Sequence, residues 1–390
     1  MSFNQDLQKI LEIALPTDPS FQRIEQATLD NCIIDAKRHA HNGNKEAFLL
    51  SVMRLMALPG NGHTRVIPNN AISVLPLRFV SIDTTVQLTS TTSKIAPSKA
   101  ELVAVNGAPL SQIERAAEKF LAGTRQRKRV VGPILLAWPY ALAKLGFPSK
   151  GDKTEYRLQV ENGQTIDLKM ENDHTVPASA LYPRNEHGRA DPAWKPETFL
   201  QTMDWKDLGF SVSLPSFFDA GETALPEAIS RAAEQITACP NSTLLIDVRG
   251  NTGGDFLRTM PLIEAISEPA NRQVVVLVDK FTFSAAIVFV AILKHRLGGR
   301  LKIFGEEMGD GLTFYAEGGL IELPTSGAAV RYSSAYHDWK SGTTDRTTPL
   351  EIAQKMVPAG TLELDQRWFF GLTDGDALGA LHRRVLASLN

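Results

Sequence analysis

Cysteine is scarce in this chain: among 390 residues only Cys32 and Cys239 occur, far apart and in unrelated contexts. That excludes a disulfide framework and leaves no cysteine-based metal motif. Charge of one sign is also lacking, since the formal net charge is only −2, which argues against a surface built for polyanions. One basic run, RQRKR at 125–129, breaks the balance. No aromatic residue interleaves it to stack on bases, so it reads as a solvated helix face or turn rather than a nucleic-acid contact. The opening residues, MSFNQDLQKILEIALP, have neither the basic nor the apolar region of a signal peptide. No uninterrupted apolar run is long enough to cross a bilayer. A cytoplasmic location is the resulting expectation, with an exported mature form left open.

What is present is ordinary globular composition, 43% hydrophobic and 22% charged, in a length that suits two or three structural units. Residues 1–72 read as a helical region: IEQATLDNCIIDAKRHA and NKEAFLLSVMRLMALP carry apolar residues at three- and four-residue spacing. The second run stops at Pro59-Gly60 and opens the loop containing His63. Residues 73–172 turn to β texture, in VLPLRFVSI, TVQLTST and AELVAV, with a helical insertion at 110–147. Asn106-Gly107 and Asn162-Gly163 are hairpin turns. A polar stretch at 173–196 reads as a linker. From 197 to 390 strands alternate with helices, and two strands, TLLIDVRG and QVVVLVDK, are solidly apolar. The fold class is therefore α/β, with a mainly parallel sheet covered on both faces.

In such a sheet, chemistry collects at the carboxyl ends of the strands. The first end is DVRGNTGGD, residues 247–255, a loop of nearly bare backbone. It matches neither phosphate-binding fingerprint; a plain turn or an oxyanion hole remains. The second is VDKFTFSAAIVF, where Ser284 falls between strand and helix. As an isolated match Ser284 is most simply an N-cap. The functional reading is a nucleophile at a helix N-terminus, with the Ala285 N–H beside it for the oxyanion. A serine needs a base. His63, in GNGHTRV, lies among small polar residues that suit an accessible imidazole, and His337 is its one serious rival.

The segments LLIDVRGNTGGD, VVVLVDKFTFSAAIVFVAIL and LKIFGEEMGDGLTF, in this order, resemble the core of the carboxyl-terminal processing (tail-specific) peptidase family. That family also includes tricorn protease and the retinoid-binding repeats of the photoreceptor matrix. Similarity continues outside the core. AELVAVNGAPLSQI is similar to the family's PDZ-like region, and GHTRV to its Asp-x-His-Thr loop. The resemblance implies a crotonase-like catalytic core at 197–390, a small PDZ-like region at 73–172 and a serine peptidase activity. It places Ser284 as nucleophile, with Gly253 or Gly254 and the Ala285 N–H as the oxyanion hole.

The family's lysine base has no counterpart here, because Asp310 stands where the lysine would and no lysine occurs between Lys302 and Lys340. The resemblance therefore points to the histidine-base, tricorn-like branch, with His63 as general base. Its acidic partner would be Glu351, with Asp338 and Asp345 as rivals. Thr252 replaces a glycine of the usual triple, and Ile287 a common glutamate. The expected substrate is a peptide or unfolded protein, with no cofactor, metal, nucleic acid or membrane span, and with homo-oligomers open. Two other functions stand beside this one: a non-catalytic binding module for apolar ligands or peptides, and an esterase or amidase acting on a small metabolite.

Overall fold

The computed structural model describes residues 2–82, 84–91, 100–182, 200–219, 224–239, 243–268, 272–368 and 377–389. It divides into two compact units, Met1–Ala190 with Tyr315–Ala335, and Asp191–Phe314 with Tyr336–Asn390. Both mix helices and sheets, as the sequence pattern requires.

In the first unit, helices α1 (Gln26–Asn42) and α2 (Lys45–Ala57) pack as a pair. Gly43 ends α1 in the left-handed conformation, at φ 69°, where a glycine costs least. The Asn44 side chain then accepts the Ala47 N–H at 3.0 Å and caps α2. Helix α2 buries Phe48, Leu49, Val52, Leu55 and Met56, and Phe3 stacks on Phe48 with centroids 5.1 Å apart.

An antiparallel sheet follows, in the order β1 (Leu77–Ile82), β2 (Thr85–Thr91), β3 (Ala100–Val105), β4 (Lys153–Gln159) and β5 (Thr165–Glu171). Its alternation is clean on β4, where Thr154, Tyr156 and Leu158 are buried and their neighbours are not. Asn106 and Gly107 both have positive φ, 51° and 83°, as a type I′ hairpin turn needs. The basic run lies on a helix, α3 (Arg125–Val131). Its Arg127 is buried rather than solvated, so only part of the run forms an exposed face.

Within the stretch read as a linker, Val176–Pro177 pairs with Ser73–Val74, and Ala178 and Leu181 are buried. Residues 183–196 lie outside the described residues. Segment 315–335 joins this unit because Ala328–Tyr332 pairs with both Gly319–Leu323 and Arg65–Ile67.

The second unit is built on one sheet, in the order β6 (Gln201–Asp204), β7 (Phe210–Ser213), β8 (Leu244–Asp247), β9 (Val274–Val278), β10 (Leu301–Gly305) and β11 (Gln366–Arg367). Only the β6–β7 pair is antiparallel. Every residue of β8 and β9 is buried, as strands covered on both faces must be. The connecting helices are α4 (Leu225–Ala238), α5 (Met260–Ser267) and α6 (Ala285–Leu297), and α7 (Ala377–Ala387) closes the chain. Val385 and Leu386 of α7 pack on Leu245, Val275 and Leu277. Loop 248–255 thus leaves the carboxyl end of β8, and 279–284 that of its neighbour β9.

Candidate active site

Ser284 sits at φ 58° and ψ −128°, immediately before α6. A residue with a β-carbon avoids this region, and holding one there costs about 1–3 kcal/mol. The same sharp strand-to-helix turn raises a serine hydroxyl above the end of a sheet. The simpler role expected for Ser284, an N-cap, is not what it performs, because its side chain makes no capping hydrogen bond. Instead its carbonyl starts the helix, accepting the N–H groups of Ile287 at 2.9 Å and Val288 at 3.2 Å.

The glycine loop lies against this turn. A β-carbon on Gly253 would stand 2.8 Å from Ser284 Cβ and 3.0 Å from the Ala285 nitrogen, and its φ is 98°. Only glycine fits so close an approach. Gly254, at φ 146°, is pressed on the other side, where a β-carbon would meet the Phe217 carbonyl oxygen at 2.3 Å. Asn251 organises the loop: its Nδ2 donates to the Leu214 carbonyl at 2.7 Å and its Oδ1 accepts the Gly253 N–H at 2.8 Å. The Gly253 amide is thereby engaged. Among the described residues, the amides of Gly254 and Ala285 donate no hydrogen bond.

Beneath the loop, buried Arg249 grips buried Asp247 through Nε and Nη2, at 2.9 and 2.7 Å. His382 Nε2 reaches the same carboxylate at 2.8 Å. Burial opposes the Asp247 charge, but Arg249 and His382 more than offset it and hold the carboxyl far below its usual range. No motif marks this trio, because His382 joins it from α7, far along the chain.

His63 belongs to the first unit. Its loop is held by a polar hub: Asn61 Nδ2 donates to Thr64 Oγ1, Ser333 Oγ and the Tyr315 carbonyl, at 2.9, 3.0 and 3.0 Å. Thr64 Oγ1 and the Ser333 N–H in turn donate to Asp18 Oδ2. His63 itself is buried, at 7% exposure, where the sequence suggested an open loop. Replacing Asp18 with alanine should leave buried donors unpaired and cost about 1–3 kcal/mol, readable as a lower urea midpoint.

The rival histidine is committed to packing. His337 is buried, stacked on Phe314 at 4.9 Å, and its Nδ1 accepts Trp339 Nε1–H at 3.3 Å. Of the acidic candidates, Asp338 is saturated locally: Thr313 Oγ1, Ser341 N–H, Ser341 Oγ and Thr343 Oγ1 donate to it at 3.1, 3.0, 2.6 and 2.9 Å. Burial works against its charge, and these donors win, lowering its pKa to about 2. The carboxylate therefore stabilises the fold above its unfolded pKa of about 3.9. That contribution fades as pH falls through 2. Asp338→Asn should flatten the acid limb of a stability–pH curve, and an unchanged limb would contradict this. Asp345 accepts Thr347 N–H and Oγ1 within its own turn. Glu351 lies exposed on the short helix Leu350–Ala353, and its side chain makes no hydrogen bond or ion pair among the described residues.

No cluster of three or more His, Cys, Asp or Glu side chains suited to a metal ion occurs among the described residues. Nor is any described helix long and apolar enough to cross a membrane.

No family model matches the chain, and no curated protein matches it. Solved structures do. Mature CPAF aligns with a TM-score of 0.53 at 12% identity, over 99% of this chain and 96% of that one. A serine-to-alanine mutant of CPAF gives 0.55 at 12% identity, over 100% and 97%. The photosystem II D1 C-terminal processing protease is a weaker neighbour, with a TM-score of 0.38 at 16% identity over 94% and 92%. Across almost its whole length, this chain shares the fold of mature CPAF.

Proposed function

We propose that the chain is a serine peptidase acting on peptides or unfolded proteins. Ser284 is the nucleophile, and His63 takes its proton and later returns one to the leaving amine. The N–H groups of Ala285 and Gly254 hold the oxyanion. Gly254 is preferred to Gly253 because Asn251 already occupies the Gly253 amide. Glu351 is the acidic partner of choice, since Asp338 and Asp345 are satisfied by their own turns. On this reading the parallel sheet is the crotonase-like core, and β1–β5 form the PDZ-like region.

The observation that carries the proposal is the strained Ser284 turn, uncapped and in contact with a glycine that tolerates no β-carbon. Strain of this kind persists only where the surrounding structure holds it in place, and it clusters at functional sites. The fold shared with CPAF, one of whose structures carries a serine-to-alanine change, is in keeping with it. The test is cleavage of a mixed peptide library, read by mass spectrometry. New termini made by wild type and absent with Ser284→Ala support the reading. An intact library after long incubation with folded wild type counts against it.

A further inference from the structure

We propose that Asp279 is a positioning residue that fixes the distance between the glycine loop and the serine turn. The inference rests on Ser284 being the nucleophile. Asp279 follows β9 directly and is 3% exposed. Its Oδ1 accepts the N–H groups of Gly250, Phe281 and Thr282, each at 3.0 Å. Its Oδ2 shares the Gly250 N–H at 3.1 Å. One carboxylate thus bonds both loops, one at its entry and the other two residues before Ser284.

Two further ties depend on the conformation it enforces. Thr282 Oγ1 accepts the Asp279 N–H at 3.0 Å and lies 3.0 Å from the Val248 carbonyl, to which it donates. The Phe283 N–H donates to the Asn251 carbonyl at 3.0 Å. Lys280 anchors the same turn from below through Glu306, with Nζ and Oε2 3.3 Å apart and both residues buried.

Burial works against the Asp279 charge and raises its pKa; the ionised carboxylate suits the place because it only accepts, and bonds to a charged acceptor are the stronger kind. Asparagine at 279 would keep one oxygen for three donors but turn its NH2 toward the Gly250 N–H. Alanine would leave the Gly250 and Phe281 amides without their acceptor, while the Thr282 N–H would keep the residue 279 carbonyl that it also reaches, at 2.9 Å. Neither change touches a group that contacts substrate. What moves is the spacing of Ser284 and Ala285 from Gly254, and a misplacement of about 1 Å costs about 10²-fold in rate.

The experiment compares wild type, Asp279→Asn and Asp279→Ala by fluorophosphonate active-site titration, kcat and KM per titrated site, and thermal melting. The expected result for Asp279→Asn is a folded protein whose kcat per labelled site falls about 10²-fold with KM little changed, the mark of an interaction made in the transition state. Asp279→Ala should lose at least as much. A merely structural role gives a lower melting temperature and fewer titratable sites at unchanged kcat per site, and that result overturns the proposal. If wild type is labelled at Ser284 and the asparagine variant matches it in kcat, this inference alone fails. If folded wild type carries no adduct, the reading of Ser284 fails with it.

Discussion

Replacing Ser284 with alanine is expected to lower peptide hydrolysis by about 10⁶-fold, the loss seen when a nucleophile is removed from a working serine centre. The fold should survive, because the Ser284 side chain makes no capping bond that alanine would forfeit. Alanine keeps the β-carbon and so keeps the backbone strain. Stability should therefore change by less than about 1 kcal/mol, and the kinetic loss can be assigned to chemistry. His63→Ala should fall by a comparable factor, and the double variant should be little worse than either single one, since such residues act as a unit. The check is kcat/KM for all three variants beside wild type, with melting curves. Additive losses in the double variant would contradict a shared proton transfer.

Gly254→Ala is expected to have the next largest effect. Its φ of 146° excludes a side chain, and the new β-carbon would lie 2.3 Å from the Phe217 carbonyl oxygen. That carbonyl cannot yield easily, because it accepts the Asp255 N–H at 3.2 Å where Phe217 bridges to Gly254. The loop must therefore shift and carry the Gly254 amide with it. Losing one oxyanion donor costs about 10²–10³ in kcat. The backbone strain should cost about 1–3 kcal/mol of stability besides. Steady-state kinetics on the folded fraction separates the two effects. A variant that melts lower but keeps its kcat would show that Gly254 serves the turn and not the oxyanion.

The local patterns were legible in the sequence. Asn106-Gly107 and Asn162-Gly163 announced their hairpins, and Gly43-Asn44 marks the break between two helices that the apolar spacing already separated. The apolar runs at 244–246 and 274–278 lie in fully buried strands. What stayed hidden depends on long-range partners. Nothing in SSAYHDW says that Thr313, from an earlier strand, donates to Asp338, and nothing in GNGHTRV says that Asp18 holds the His63 loop through Thr64.

The glycine loop could be read as an oxyanion hole, but not which of its glycines donates. In the proposed site that turns on Asn251, whose Oδ1 takes the Gly253 N–H in a local Asx turn while its Nδ2 is anchored on the distant Leu214 carbonyl. The strain at Ser284 was equally invisible: SAAIVF reads as a well-capped helix start, and only the backbone shows otherwise. The late segment FFGLTDGDALGAL, similar to the family's closing region, falls partly outside the described residues, since 369–376 are not among them.

The central claim, an activated serine at position 284, is tested most directly by reacting folded protein with a fluorophosphonate and locating the adduct by tandem mass spectrometry. The account predicts one phosphonyl group per chain, on Ser284, absent from Ser284→Ala and strongly slowed in His63→Ala. Labelling of a different serine, or none on protein shown to be folded, would contradict it.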